Sequence, residues 1–455
     1  MTLLFTIIAF IIALGILITF HEFGHYLVAR WSGVKVLRFS IGFGQPLFKK
    51  RLGKDQTEWV LAAIPLGGYV KMLDEREGEV APKDLPRSFN RQPVGRRFAI
   101  VAAGPIANFL LAILFYWLLF IIGVTGMKPI LGPVVPATPA AFAAFEAGET
   151  IQKIGGKSVA SWQDARWALL KYAVDQTPSL PVETITAQGN VTQRILNLSN
   201  ISADELDGDF LNKIGFSSYQ PAMKPVIAQV MKDGAAHSAG VMVGDEILAV
   251  NNDDIYDWIE LVTVIRSNPE QSLTLDILRD KKVVKIVVTP ELATENGNKI
   301  GKVGIAPQVN AAELEKLIVN VSYPAGVALL KAIDKTWDTT VLTLQMLVKM
   351  VTGDVSWKNI SGPISIADYA GQSAQMGISS YIGFLALISI SLGVLNLLPI
   401  PILDGGHLMY YVIEIVRGKP LPESVMLIGQ QIGMTLLFTL MIFAIYNDIY
   451  RIISG

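Results

Sequence analysis

A chain of 455 residues that is 51% hydrophobic and only 17% charged, with a mean hydropathy of +0.43, is too apolar for an ordinary soluble domain. The net charge of −1 gives no sign of a nucleic-acid partner, and the absence of cysteine excludes a disulfide framework and thiolate chemistry. Residues 3–20 contain no charge at all. At about 1.5 Å per residue that run spans roughly 27 Å as a helix, the thickness of a bilayer's hydrocarbon core, so it reads as a transmembrane segment. A secretory signal would open on basic residues and close on a small-residue cleavage site. This run does neither, continues into His-Glu-Phe-Gly-His, and is expected to stay in the mature protein.

Ionisable groups at membrane depth need a purpose, because desolvating them is costly unless a partner compensates. His21 and His25 lie four apart, which puts both imidazoles on one helical face, with Glu22 beside the first. Zinc suits such a pair: it takes neutral imidazole and needs three protein ligands, leaving a position for a water whose pKa falls toward neutrality. Glu22, not itself a ligand, would take that water's proton. The pentapeptide recurs by chance in soluble chains; its place at the end of an apolar run argues for catalysis.

The loop that follows is basic, with 14 Lys and Arg against 7 Asp and Glu in residues 30–97, whereas residues 128–375 carry 21 against 27. Basic loops stay cytoplasmic, so the His-Glu-Phe-Gly-His end of the first helix is expected to face the cytoplasm and the long acidic segment to lie outside. Three more uncharged stretches, 98–127, 376–403 and 424–447, bring the expected spans to four and return the C-terminus to the outer side, where the chain also starts.

The outer segment repeats itself. Residues 128–134 (KPILGPV) align with 224–230 (KPVIAQV), and 148–162 (GETIQKIGGKSVASW) with 244–258 (GDEILAVNNDDIYDW), every pair offset by 96 residues without a gap. Each copy offers strands, a turn such as Gly155-Gly156 or Asn251-Asn252, and a helix. The second copy, KDGAAHSAGVMVGDEILAVNN, resembles a PDZ domain, a fold that binds extended peptides by adding a strand to a sheet edge. The first copy departs further, with PATPAAFAAFEAGE reading as a Phe-rich insert. His237, in the second copy, reads as a surface residue at a helix start.

Residues 314–358 keep apolar side chains at helical spacing, but Lys331, Asp334, Lys335, Asp338 and Lys349 leave no uncharged run long enough to span. An amphipathic helix on the outer membrane face or against the repeated modules is expected. The third span then ends in NLLPIPILDGGHLMYYV, whose Asp404 and His407 are three apart, so that either could complete a metal site from one helical turn. Spacing does not choose between them. A carboxylate at the tip of an apolar helix, after Pro399 and Pro401, is harder to explain as structure, which favours Asp404.

His-Glu-Phe-Gly-His at 21–25, GPIANF at 104–109 and NLLPIPILDGG at 396–406 together resemble the site-2 protease family of intramembrane zinc metalloproteases. SIGFGQPLFKK at 40–50 and AAIPLGGYVKMLDE at 62–75 extend the match over almost the whole chain, and the order of parts is that of the bacterial regulator-of-sigma-E proteases. The resemblance implies His21, His25 and Asp404 as zinc ligands and Glu22 as the catalytic glutamate. It implies Asn396 as a substrate-contacting or transition-state-stabilising residue and Asn359 as a substrate contact. It also implies that the Gly-punctuated strands of the basic loop dip beside the zinc, where one edge pairs with unwound substrate, since open sheet edges do not face lipid.

The expected protein is a multi-pass α-helical membrane protein with four transmembrane helices, a membrane-associated β-hairpin region and two tandem extracytoplasmic PDZ-like domains. Its parts run 1–30 (first span), 31–97 (cytoplasmic loop with strands), 98–127 (second span), 128–220 and 221–310 (PDZ-like domains), 311–375 (amphipathic linker), 376–404 (third span), 405–423 (cytoplasmic loop) and 424–455 (fourth span). The expected setting is a bacterial inner membrane, with the bilayer, a single-span protein substrate and an upstream site-1-type protease as partners. The competing reading is a catalytically silent scaffold that holds partners through its PDZ modules. The intact His21, Glu22, His25 and Asp404 argue against it.

Overall fold

The computed structural model describes residues 3–454 except 187, 202–209, 222, 296–297, 309–310 and 358–359. It divides into two compact units, Met1–Val124 with Val321–Asp448, and Thr125–Asn320 with Ile449–Gly455.

The first unit is built on helices α1 (Leu3–Trp31), α2 (Val94–Ile122), α3 (Ala325–Thr352), α4 (Pro363–Gln375), α5 (Ile378–Leu397), α6 (Asp404–Arg417) and α7 (Glu423–Ser454). Of these, α1, α2, α5 and α7 are long and apolar enough to cross a membrane. Between apolar helices in lipid no hydrophobic force selects partners, so small residues and polar contacts must do so. Here a Cβ on Gly24 of α1 would come within 2.8 Å of the Ala107 methyl on α2. Ala13 and Leu17 of α1 pack with Leu111 of α2 and Leu385 of α5. The Ser389 hydroxyl of α5 donates to the Asn108 carbonyl of α2 at 2.8 Å, and Tyr381 donates to Ala9 O of α1 at 2.6 Å.

Three elements differ from expectation. The stretch expected as an amphipathic helix on the outer membrane face or against the repeated modules contains α3, which packs on α2 and α5 through Ala332 against Ala112, Tyr116, Leu119 and Ala386. Its buried residues begin with Ala328, Ala332, Thr336 and Thr339, at helical spacing and small enough for close approach, and continue with Leu342 and Met350. The third span stops at Leu397 because Leu398 precedes a proline and turns extended. Residues expected as a cytoplasmic loop after Asp404 instead form α6, tied to α2 by Arg97, whose Nη2 donates to Glu414 Oε1 at 2.6 Å.

Between α1 and α2, strands β1 (Val36–Leu52) and β2 (Thr57–Met72) each bend back on themselves. Arg38–Ile41 is flanked on one side by Gly68–Lys71 in antiparallel register and on the other by Glu58–Leu61 running in the same direction. Thr57–Ala62 pairs in turn with residues 46–52. The bend of β1 falls at Gly42 and Gly44, whose φ values of +90° and +87° suit glycine. Tyr26 and Ala29 of α1 pack with Val36 and Phe39 of β1, with Trp59 against them, and so fix the sheet to the end of α1.

In the second unit the 96-residue repeat is visible in the backbone. Strands Thr150–Ile154, Leu180–Ile185 and Val191–Leu196 of the first copy correspond to Glu246–Val250, Leu273–Arg279 and Lys282–Val288 of the second, in the same sheet order. Leu131 N–H donates to Glu149 O and Ile227 N–H to Asp245 O, each at the same offset. Helices Trp162–Val174 and Trp258–Ser267 are capped by Ser161 and Asp257. Glu149 and Asp245, 2% and 1% exposed, are each paired to an arginine, Arg194 and Arg279. The stretch expected as a Phe-rich insert is not one. Pro139–Phe142 and Ala235–Ser238 are the same four-residue helix in the two copies, differing there in side chains, with Phe145 buried against Phe216 in the first. His237 is exposed on the second of these helices.

Candidate metal centre

The site begins with the helical period of α1. His21 and His25 fall on one face, their Nε2 atoms 3.2 Å apart and their rings edge to face. The neighbouring face of α2 has room for them only because residue 104 is glycine, since a Cβ there would overlap His25 Nε2 and His21 Cε1. The outer nitrogens are held as well. His25 Nδ1 lies 2.8 Å from the Ile100 carbonyl, which can only accept, so Nδ1 carries the proton and the Nε2 lone pair faces the site. His21 Nδ1 lies 3.2 Å from the side-chain amide of Asn108.

Asp404 arrives from the far end of the sequence. After α5, residues 398–403 run irregularly through Pro399 and Pro401, with Ile402 at φ +105°, and α6 starts at Asp404. Gly405 and Gly406 allow the return: a Cβ on either would collide with the backbone of residues 397–401. Asp404 Oδ2 thereby comes 3.2 Å from His21 Nε2 and 3.4 Å from His25 Nε2. This oxygen is buried and accepts no well-formed hydrogen bond. One ligand atom from each of the three residues lies within 4.8 Å of the others. Three atoms that can each turn a lone pair toward one point form an arrangement that a cation satisfies, and two imidazoles with one carboxylate make a donor set that zinc accepts.

Glu22 follows His21 on α1, and the Gly67–Gly68 segment of β2 passes over it: a Cβ on Gly68 would come within 2.8 Å of Glu22 Cγ and 2.9 Å of Ser40 O. Gly68 lets the sheet lie against the glutamate, while Gly67 makes room for the Phe43 ring. His407 is not part of the group. It is half-buried, edge-on to Tyr410 with centroids 6.2 Å apart, and burial pushes its imidazole below the ordinary pKa. Asn396 is half-buried in the last turn of α5, eight residues before Asp404. Asn359 lies outside the described residues. Sequence reasoning missed Gly104 and Asn108 as neighbours of the histidines. The signal was there, in a Gly and an Asn four apart on one face of an otherwise apolar helix.

The model of peptidase family M50 matches residues 9–440. The "Regulator of sigma-E protease RseP" of Salmonella typhimurium strain 14028s is 42% identical over 452 residues, covering 99% of this chain and 100% of that one. A "Putative zinc metalloprotease" of Vibrio cholerae serotype O1 is 40% identical over 451 residues, covering 99% of each. A solved PDZ domain of an SdrC-like protein from Listeria innocua matches 19% of this chain and 96% of its own at 16% identity, with a TM-score of 0.17. With a family model spanning nearly the whole chain and relatives of 40% identity or more from end to end, the chain belongs to peptidase family M50 and is a zinc metalloprotease.

Proposed function

We propose that this protease cuts single-span membrane proteins within the bilayer of a bacterial inner membrane, with His21, His25 and Asp404 holding the zinc and Glu22 moving the proton. The observation that carries the assignment is the convergence of His21, His25 and Asp404 beside Glu22 at the end of a membrane-length helix. A zinc ion held there supplies Lewis acidity, making a water more acidic and polarising a carbonyl. Glu22 accepts the proton of the attacking water as the C–O bond forms, and delivers it to the amide nitrogen as the C–N bond breaks. Asn396, and Asn359 before α4, contact the substrate chain.

A helical substrate ties its carbonyls in i to i+4 bonds and must unwind to be cut. The strand Gly68–Lys71, which runs beside Glu22 and among the described residues pairs on one side only, with β1, offers the unwound segment an edge to join. Exposed Phe43, Leu47 and Phe48 at the bends of the sheet are consistent with immersion beside the site. The relatives' names include regulation of sigma-E, so the substrate class is an anti-sigma factor, or a remnant signal peptide, already shortened by an upstream protease. That places the enzyme in a stress response. The repeated modules are PDZ-like domains on the outer side with both termini, and the zinc site lies toward the cytoplasm, following the charge of the loops.

The test is zinc stoichiometry together with cleavage of a model single-span substrate by purified wild type and Glu22→Gln. The variant keeps its zinc, having lost no ligand, and loses roughly two to four orders of magnitude in rate. Cleavage by Glu22→Gln near the wild-type rate overturns the role of Glu22.

A further inference from the structure

Asn108 is 0% exposed on α2, with its amide nitrogen 3.2 Å from His21 Nδ1 and its amide oxygen buried without a hydrogen-bond partner. Its backbone is held as well, since the buried Ser389 hydroxyl donates to its carbonyl at 2.8 Å. An unsatisfied buried amide oxygen is costly and calls for a reason.

The two histidines differ in their outer partners. His25 faces the Ile100 carbonyl, which accepts only and so admits one tautomer. His21 faces a side-chain amide, which offers a donor at one end and an acceptor at the other. A neutral imidazole carries one proton. With the amide nitrogen toward the ring, the contact suits the tautomer whose Nε2–H points at Asp404 Oδ2, 3.2 Å away. With the amide oxygen toward the ring, it suits the tautomer with Nδ1–H, whose Nε2 lone pair is free for a cation. A half-turn of the amide exchanges the two at the same position and gives the orphaned oxygen a donor.

We propose that Asn108 is the positioning residue of the metal centre, presenting its amide oxygen to His21 Nδ1–H when His21 ligates zinc and thereby holding both tautomer and ring. The proposal rests on the reading of His21, His25 and Asp404 as ligands. It makes the two histidines alike in the ligated state, each with an oxygen acceptor supplied by α2, Ile100 O for one and Asn108 Oδ1 for the other. Acceptors of this kind commonly set the affinity and orientation of metal-bound imidazole. Asparagine also serves the other tautomer, which aspartate and leucine cannot, so the amide keeps a partner for His21 Nδ1 whether the site is empty or filled.

The experiment measures zinc affinity by chelator competition on the purified full-length chain, comparing wild type, Asn108→Leu and Asn108→Asp. Leucine fills the space without an acceptor and is expected to weaken zinc roughly 10–100-fold, whereas aspartate, which keeps one, stays within roughly threefold of wild type. Equal losses in both variants reduce Asn108 to a packing residue and overturn the proposal, as does wild-type affinity in the leucine variant. Should the leucine variant fail to fold, 15N spectra of labelled histidine in the zinc-loaded wild type decide: a protected proton on His21 Nδ1 supports the proposal, and its absence overturns it. A wild-type chain that binds no zinc overturns the ligand set and the proposal with it. Normal zinc binding by all three proteins overturns only the role of Asn108.

Discussion

Asp404 and His407 sit one helical turn apart, and only one of them faces the histidine pair. Asp404→Ala therefore removes a ligand and should lower zinc content and abolish cleavage, while His407→Ala removes an imidazole resting on Tyr410 and should leave both largely intact. Metal analysis and cleavage of the same two preparations check this, and the reverse pattern transfers the role to His407. The histidine pair was legible in the sequence because both residues ride one helix, where a spacing of four is geometry. Asp404 was legible only as one of two candidates, since nothing local says which side chain of α6 turns back toward α1. Asn108 showed in the sequence only as a polar residue four from a glycine on an apolar helix, with nothing local to name its partner. It lies 87 residues from His21 in sequence, and its partner becomes visible only when α1 and α2 are packed.

Among the elements, α4 and α7 show how buried polar groups stand in for hydrophobic selectivity. Asp448 of α7, 1% exposed, accepts from the backbone N–H groups of Gly362, Ile364 and Ser365 and from the Ser365 hydroxyl, and so caps the N-terminus of α4 from another helix. Replacing it by alanine strips the cap and should cost about 2 kcal/mol, read as a lowered melting temperature in detergent. Faster hydrogen exchange at Ile364 and Ser365 should accompany it; unchanged exchange there refutes the capping account. The uncharged stretch of the fourth span ends at Asn447, and Asp448, the next residue, is the capping group. α3 was misplaced. Its charges were weighed, and the face of small residues that packs on α2 was not.

A second element prediction concerns the repeated modules. Burial alone would raise the Asp245 carboxyl, but two hydrogen bonds from Arg279 and one from the Met242 N–H overcome that and hold it below its ordinary 3.8. A folded pKa below the unfolded one adds stability that is present above the unfolded pKa and lost as pH falls through the folded one. The module should therefore lose stability from about pH 4 downward. Asp245→Asn should flatten that slope at a cost of about 2 kcal/mol near neutral pH. Thermal melts across pH 3–7 check both, and an unchanged slope in Asp245→Asn assigns the acid sensitivity elsewhere.

For the whole molecule, the repeated modules raise the question of substrate choice. If they exclude by bulk, a substrate with a long folded outer domain should be spared by the intact enzyme and cut once residues 128–310 are removed. Cleavage of a substrate series graded by outer-domain size measures this, and the same size dependence after truncation moves selectivity to the membrane strands or the region of Asn359. If the modules read a free carboxyl end instead, masking that end on a short substrate should weaken cleavage. The repeat itself was legible because a gapless offset of 96 residues survives in glycines, turns and caps. The supposed insert in the first copy was an error of composition over register, since Pro139–Phe142 has the same length and position as Ala235–Ser238.

The glycines at 24 and 104 carry a consequence for anyone wishing to harden this protein. Replacing helical glycine by alanine is a standard route to stability, because it narrows the unfolded ensemble and improves helix propensity. At these two positions the missing methyl groups are the clearance between α1 and α2, and at Gly104 also the clearance around both imidazoles. Helix packing and ligand geometry are set by the same vacant volume, so a library that ranks variants by melting temperature alone would enrich substitutions that wedge the helices apart wherever they tolerate it, and would select against the chemistry without ever assaying it.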